Sequence, residues 1–148
     1  MDTENDIFLH VSSKDSIGYF PDNTPALFRV KLNNTLNLKG MWQIGLCQLT
    51  LENVTLNVGK RSMSNRLFIG CNVCSGMIVD GKQTRVIRTV TIPGGLNESY
   101  GVIFYMPIQV RFIDCIEFRI LNDAMTEVSC TSENNLGYTS MTLHIKHV

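Results

Sequence analysis

The sequence predicts an all-β protein: an antiparallel β-sandwich, built as a single jelly roll of about eight strands. Apolar residues recur with a period of two in nearly every segment, clusters of turn-forming residues separate the segments, and no stretch carries a convincing 3.6-residue apolar stripe. At 148 residues, with no internal repeat and no low-complexity linker, the chain reads as one domain, 1–148. Many short strands without helices point to a sandwich or barrel, and a count near eight favours the jelly roll. The competing seven-stranded immunoglobulin-like sandwich is shorter than this chain, and its Cys…Trp…Cys order is absent because the single Trp42 precedes every cysteine.

The segment IFLHV supplies the first strand. Next, Ala26, Phe28, Val30 and Leu32 alternate with Arg29 and Lys31, which describes a strand with one face on a core. Trp42, Ile44 and Leu46 alternate with Gln43, Gly45 and Cys47, and the phase loosens at Leu49 and Leu51, so this longer strand is expected to be bulged or covered on both faces near its end. LFIGCNV, RVIRTVTI, YGVIFYM and IQVRFI read as further strands. In the last two strands Ile116, Phe118 and Ile120 alternate with Glu117 and Arg119, and Met141, Leu143 and Ile145 alternate with Thr142, His144 and Lys146. Turns fall at FPDNTP, NLKG, Asp80 to Lys82, Pro93 to Gly95 and the polar run from Ser132. A short helical turn is allowed only at 97–100 or 56–65.

Hydrophobic residues are 44% and charged residues 18%, a balance that excludes intrinsic disorder. Thirteen bases match thirteen acids, so binding driven mainly by phosphate neutralisation is not expected. No apolar run approaches a membrane span, and the acidic start MDTENDIFLH does not resemble a secretory signal; a cytosolic or nuclear address is expected. Five cysteines, an odd number without regular spacing, are expected to be reduced. The sequons at Asn33, Asn53 and Asn97 carry little meaning without a route to the secretory pathway.

Candidate chemistry is sparse. His10 lies in the first strand and His144 and His147 in the last, so pairing of the terminal strands would bring them near each other, and a cysteine would complete a Cys/His pair; as polar-phase strand residues they read as solvated surface. Cys71 and Cys74 have C-x2-C spacing, but no second pair follows, and residues three apart on a strand face opposite ways unless the strand breaks. No catalytic residue, metal site or cofactor is expected. Lys60, Arg61, Arg66, Lys82, Arg85 and Arg88 form a basic middle with Asp80 as its only acid, whereas Asp2, Glu4, Asp6, Asp15 and Asp22 crowd the start around Lys14; such an asymmetry attracts neighbouring copies or is simply solvated. Nucleic-acid binding is disfavoured because the basic stretch lacks interleaved aromatics.

The most distinctive segment is the corner Tyr19, Phe20, Pro21, Asp22, Asn23 and Thr24. Pro21 fixes its own φ, Asp22 and Asn23 can bond nearby backbone, and the rings of Tyr19 and Phe20 are expected to bury beneath the turn. Trp42 is expected to be the large central side chain, its indole N–H needing a partner.

The order of this corner, an F-x-x-K-L strand (Phe28, Lys31, Leu32) and L-x-L-x-G-x-W-x-x-G-L (Leu36, Leu38, Gly40, Trp42, Gly45, Leu46) resembles the opening of minor capsid, or penton, proteins of Polinton-type elements and adintovirus-like double-stranded DNA viruses. The stretch from CIEFRIL to TLHIKHV is similar to the family's end, so the resemblance covers roughly residues 1–45 and 114–148. The middle departs from the family in having no room for large insertions between strands. The resemblance implies a virion protein made in a host cytoplasm: a single jelly roll that packs with copies of itself, as a homopentamer at capsid vertices, beside a separate major capsid protein. The corner would be a structural clamp and secondarily a subunit contact. The alternative reading is a monomeric carbohydrate- or peptide-binding sandwich, because lectin domains share the architecture.

Overall fold

A computed structural model describes residues 6–57, 66–91, 97–132 and 136–148. In chain order its strands are β1 (Asp6–Ser12), β2 (Leu27–Asn37), β3 (Trp42–Glu52), β4 (Val54–Asn57), β5 (Arg66–Cys71), β6 (Ile78–Val79), β7 (Lys82–Gln83), β8 (Val86–Thr91), β9 (Glu98–Ser99), β10 (Tyr105–Pro107), β11 (Phe112–Leu121), β12 (Ser129–Ser132) and β13 (Tyr138–His147). No helix is present among the described residues.

Eight of these strands form two antiparallel four-stranded arrays, ordered β1-β13-β3-β10 and β2-β11-β5-β8. Counted as one to eight along the chain, the orders are 1-8-3-6 and 2-7-4-5. First pairs with last, second with seventh, third with sixth and fourth with fifth, so one long hairpin has been rolled until β13 meets β3 and β11 meets β5. That is a jelly roll. The sequence predicted these eight; five short accessory strands were not foreseen. β9 adds to β3, β4 pairs with β12, and β6 pairs with β7 through a two-residue turn in which Asp80 and Gly81 both take positive φ, 50° and 77°.

The core lies between the arrays. Phe28 and Phe118 meet with ring centroids 5.4 Å apart, and Ile44, Leu46, Leu143, Ile145, Ile116 and Ile120 close around them, all essentially without solvent contact. A smaller apolar cluster, Phe68, Val86 and Leu121, lies on the other side of the β2-β11-β5-β8 sheet beneath Met77, Val79 and Met125. The expected irregularity in β3 is a bulge: Thr142 pairs with Gln48 and Leu143 with Leu46, leaving Cys47 as the extra residue.

Several expectations need correction. YGVIFYM is strand only from Tyr105, because Arg88 lies over the rings of Tyr100 and Phe104 and donates to the Val102 carbonyl at 2.7 Å, holding 101–104 in a bend. IQVRFI is interrupted at 109–111, where Ile108 bridges Cys74 and Gln109 N–H bonds the Val73 carbonyl. LFIGCNV ends as a strand at Cys71. The helical turn allowed near 97–100 is absent, since Glu98 and Ser99 pair with β3; Leu56 and Asn57 are strand, and the rest of the other allowed stretch, with Lys60 and Arg61, lies outside the described residues. Pro93 to Gly95 and most of the polar run after Ser132 also lie outside them.

Candidate functional site: the corner and the ring row

The corner is tied down at both ends by hydrogen bonds to Thr139 of β13. Ser13 N–H bonds the Thr139 carbonyl at 2.8 Å, Thr139 N–H bonds Ser13 Oγ at 3.0 Å, and the fully buried Thr139 hydroxyl donates to the Pro25 carbonyl at 2.7 Å. Between these anchors, the Ser16 carbonyl accepts from the N–H groups of Tyr19 and Phe20, and Thr24 closes on Leu27 in both directions.

The interior of the corner faces the outer edge of β2. Asn23 Oδ1 accepts from Arg29 N–H at 2.9 Å while Asn23 Nδ2 donates to the Arg29 carbonyl at 2.8 Å, and Ser16 Oγ accepts from Lys31 N–H at 2.8 Å. The Asn23 amide therefore takes the place of a neighbouring strand, capping backbone groups that would otherwise invite one. The corner is held against β2 by these bonds. Its aromatic part differs from expectation: Tyr19 is 71% exposed, because its ring stands outside the turn rather than beneath it, and only Phe20 is partly covered, with the Arg29 guanidinium 5.9 Å from its ring centre. Pro21 and Asp22 form the exposed tip, and Asn23, not Asp22, makes the backbone bonds.

Between the corner and β11 lies a cleft of about 340 Å³ lined by Tyr19, Phe20, Asn23, Arg29 and Glu117. Glu117, only 15% exposed at its side chain, holds Arg29 at 3.4 Å and Arg119 at 3.6 Å, and Arg119 reaches Glu127 at 3.1 Å. The cleft floor is thus charge-balanced, offering an aromatic rim and hydrogen-bonding groups.

Trp42 begins β3. It is 8% exposed in the core, and its indole N–H donates to the Lys39 carbonyl at 2.8 Å, the partner that a buried indole needs. His147 meets the indole edge-on at 5.1 Å.

A second constellation was not foreseen. On the outer face of the β1-β13-β3-β10 sheet, one cross-strand row runs Phe8, His144, Gly45, Tyr105. Gly45 has no side chain, so Tyr105 closes over it and its hydroxyl hydrogen-bonds His144 Nδ1 at 2.8 Å, while His144 Nε2 hydrogen-bonds Asp6 Oδ1 at 2.6 Å. Phe8 stacks on the other side of the imidazole, 4.4 Å away and 7° from parallel, and Lys146 Nζ lies 4.0 Å from the Tyr105 ring centre. Burial, with the nearby Cys47 and Asp6, pushes the Tyr105 hydroxyl above its usual pKa. The sequence signal was a glycine on the outward phase of a central strand.

The terminal strands do pair, placing His10 opposite Thr142, with His10 Nδ1 3.1 Å from the Thr142 hydroxyl, and His144 on the same face. Cys47 approaches the His144 backbone, but burial pushes its thiol up, opposite to what a nucleophile needs. Cys71 and Cys74 come together because β5 breaks at Cys71. The bond between the two thiols, together with burial, pushes Cys71 well up, and the same bond, helped by Arg85, lowers Cys74. Among the described residues no third donor joins them to hold a metal. The basic and acidic patches are partly consumed within the fold: Arg85 bonds the Asn72 carbonyl, Arg88 the Val102 carbonyl, Asp6 bonds His144, and Asp15 caps Ser12 N–H.

No protein-family model matches the chain, and no curated protein matches it.

Proposed function

We propose that this chain is a structural subunit of minor-capsid, penton-like type, which assembles with copies of itself into a ring, a homopentamer, at the vertices of a virion beside a major capsid protein. The observation that carries the reading is the rolled 1-8-3-6/2-7-4-5 strand order, taken with the resemblance of the corner and the Trp42 strand to such proteins. A jelly roll hosts many activities, so the site must do the arguing. Here the corner is held by hydrogen bonds, its tip and Tyr19 are exposed, and its inner side caps β2 at Arg29 and Lys31, which favours contacts made there by loop side chains over strand addition. Heterologous contacts of that kind close into a ring when the rotation fits.

Light scattering of the purified chain tests this. A mass near five times 16.7 kDa, alone or on mixing with a capsid partner, supports the reading; a strict 16.7 kDa species under both conditions overturns it. The corner cleft favours one other reading, a carbohydrate- or peptide-binding sandwich, in which Tyr19 would stack on the ligand. Calorimetric binding lost in Tyr19→Ala by a chain that stays monomeric would select it.

A further inference from the structure

β1 is an outer strand of its sheet, and its alternation decides which backbone groups are free. Ser13 N–H bonds β13 whereas Ser12 N–H goes to the Asp15 carboxylate at 2.9 Å, and the register runs unbroken from Asp6 to Ser12. Asp6, Phe8 and His10 therefore share the phase of Ser12, with N–H and C=O directed away from β13. Among the described residues the outward groups of Phe8 and His10 have no protein partner. The edge of β2, by contrast, is capped at Arg29 and Lys31 by Asn23 and Ser16.

The side chains on this edge are self-complementary. Phe8, 66% exposed, is the open end of the ring row. Asp6 engages His144 through Oδ1 and His10 engages Thr142 through Nδ1, which leaves Asp6 Oδ2 and His10 Nε2 available. In an antiparallel pairing of two β1 strands centred on Phe8, Asp6 of each copy faces His10 of the other; a parallel pairing would set acid against acid.

We propose that β1 is a docking edge for a second copy of this chain, joined antiparallel with Phe8 opposite Phe8 and two Asp6–His10 contacts about a twofold axis. The inference rests on the reading of the chain as self-associating, and names a contact distinct from the one that closes the ring. The two sheets become one continuous eight-stranded sheet, and the row Tyr105, His144, Phe8 continues across the seam into its symmetry mate.

Cross-linking in the full-length chain reads the register directly. With a short thiol-bridging reagent and peptide mapping to set aside the native cysteines, Phe8→Cys should link to itself, and a mixture of Asp6→Cys and His10→Cys should link to each other. Asp6→Cys alone should not, because residues 6 of the two copies would be about 14 Å apart. His10→Pro, which removes an outward N–H and leaves the β1·β13 ladder intact, should abolish the 8–8 link when added to Phe8→Cys, without lowering the melting temperature appreciably. Absence of the 8–8 link at concentrations where the chain assembles, or a 6–6 link, overturns the proposal. Five-subunit rings without the 8–8 link overturn it while leaving the capsid-type reading in place; an 8–8 dimer that forms no ring supports it and counts against the ring.

Discussion

Tyr105 and His144 are hydrogen-bonded at 2.8 Å across β3, a strand to which neither belongs, and they can meet only because the residue between them is Gly45. A Cβ at that position would lie 2.4 Å from Ile103 Cγ2 and 3.1 Å from both the Phe104 carbonyl oxygen and Tyr105 Cδ1. Gly45→Ala should therefore destabilise the fold by about 1–3 kcal/mol, the usual cost of overpacking. Urea unfolding checks this: the midpoint should fall with the slope unchanged, and an unaltered midpoint would mean that the ring row is not tightly packed.

Tyr105 also gives the fold an alkaline limit. Burial raises its pKa above the unfolded value near 10, so the folded state binds the phenolic proton more tightly than the unfolded chain does. The resulting stability is fully present below the unfolded pKa and is lost as pH rises through the folded one. Absorbance titration should show a phase of tyrosine ionisation above the usual range, and Tyr105→Phe should remove both that phase and the matching loss of stability.

Asn23 replaces a strand at the edge of β2 with two bonds to Arg29. Asn23→Ala should cost about 1–3 kcal/mol, since it leaves a donor and an acceptor unpaired, and should raise concentration-dependent scattering by uncovering the edge. Asn23→Asp keeps the acceptor but sets a carboxylate against the Arg29 carbonyl, so it should fall short of wild type as well. Equal stability of all three proteins in chemical denaturation would refute the clamp.

Thiol chemistry separates the cysteines by environment. Cys71 and Cys74 are buried at 2% and 0% exposure, whereas Cys47, Cys115 and Cys130 are partly accessible. A native titration with an aromatic disulfide reagent should modify three thiols, and the other two only after unfolding. Burial raises the pKa of Cys47 and Cys115, so their modification should quicken as pH rises. Five thiols reacting at one rate in the native protein would contradict the placement.

What the sequence made legible follows from how local each signal is. Period-two alternation at Phe28, Val30, Ile116, Phe118, Leu143 and Ile145 reports which face is buried, so the eight sandwich strands and the Trp42 anchor could be read directly. The Asn23 bonds reach only six residues along the chain, a range at which a turn-forming Asp-Asn pair is a readable signal, but which of Asp22 and Asn23 would make them was not. Tyr19 was misread because a ring beside Pro21 has no local signal for the side of the turn on which it stands. The break in 101–104 depends on Arg88 reaching across from another strand, and the ring row joins Asp6 to a histidine 138 residues away; periodicity carries no information about either.

Sedimentation equilibrium over a wide concentration range tests the central claim most directly. A self-assembling capsid-type subunit predicts a weight-average mass that climbs from 16.7 kDa toward a closed multiple of it as concentration rises. A mass fixed at 16.7 kDa at every concentration, with and without a capsid partner, would contradict it.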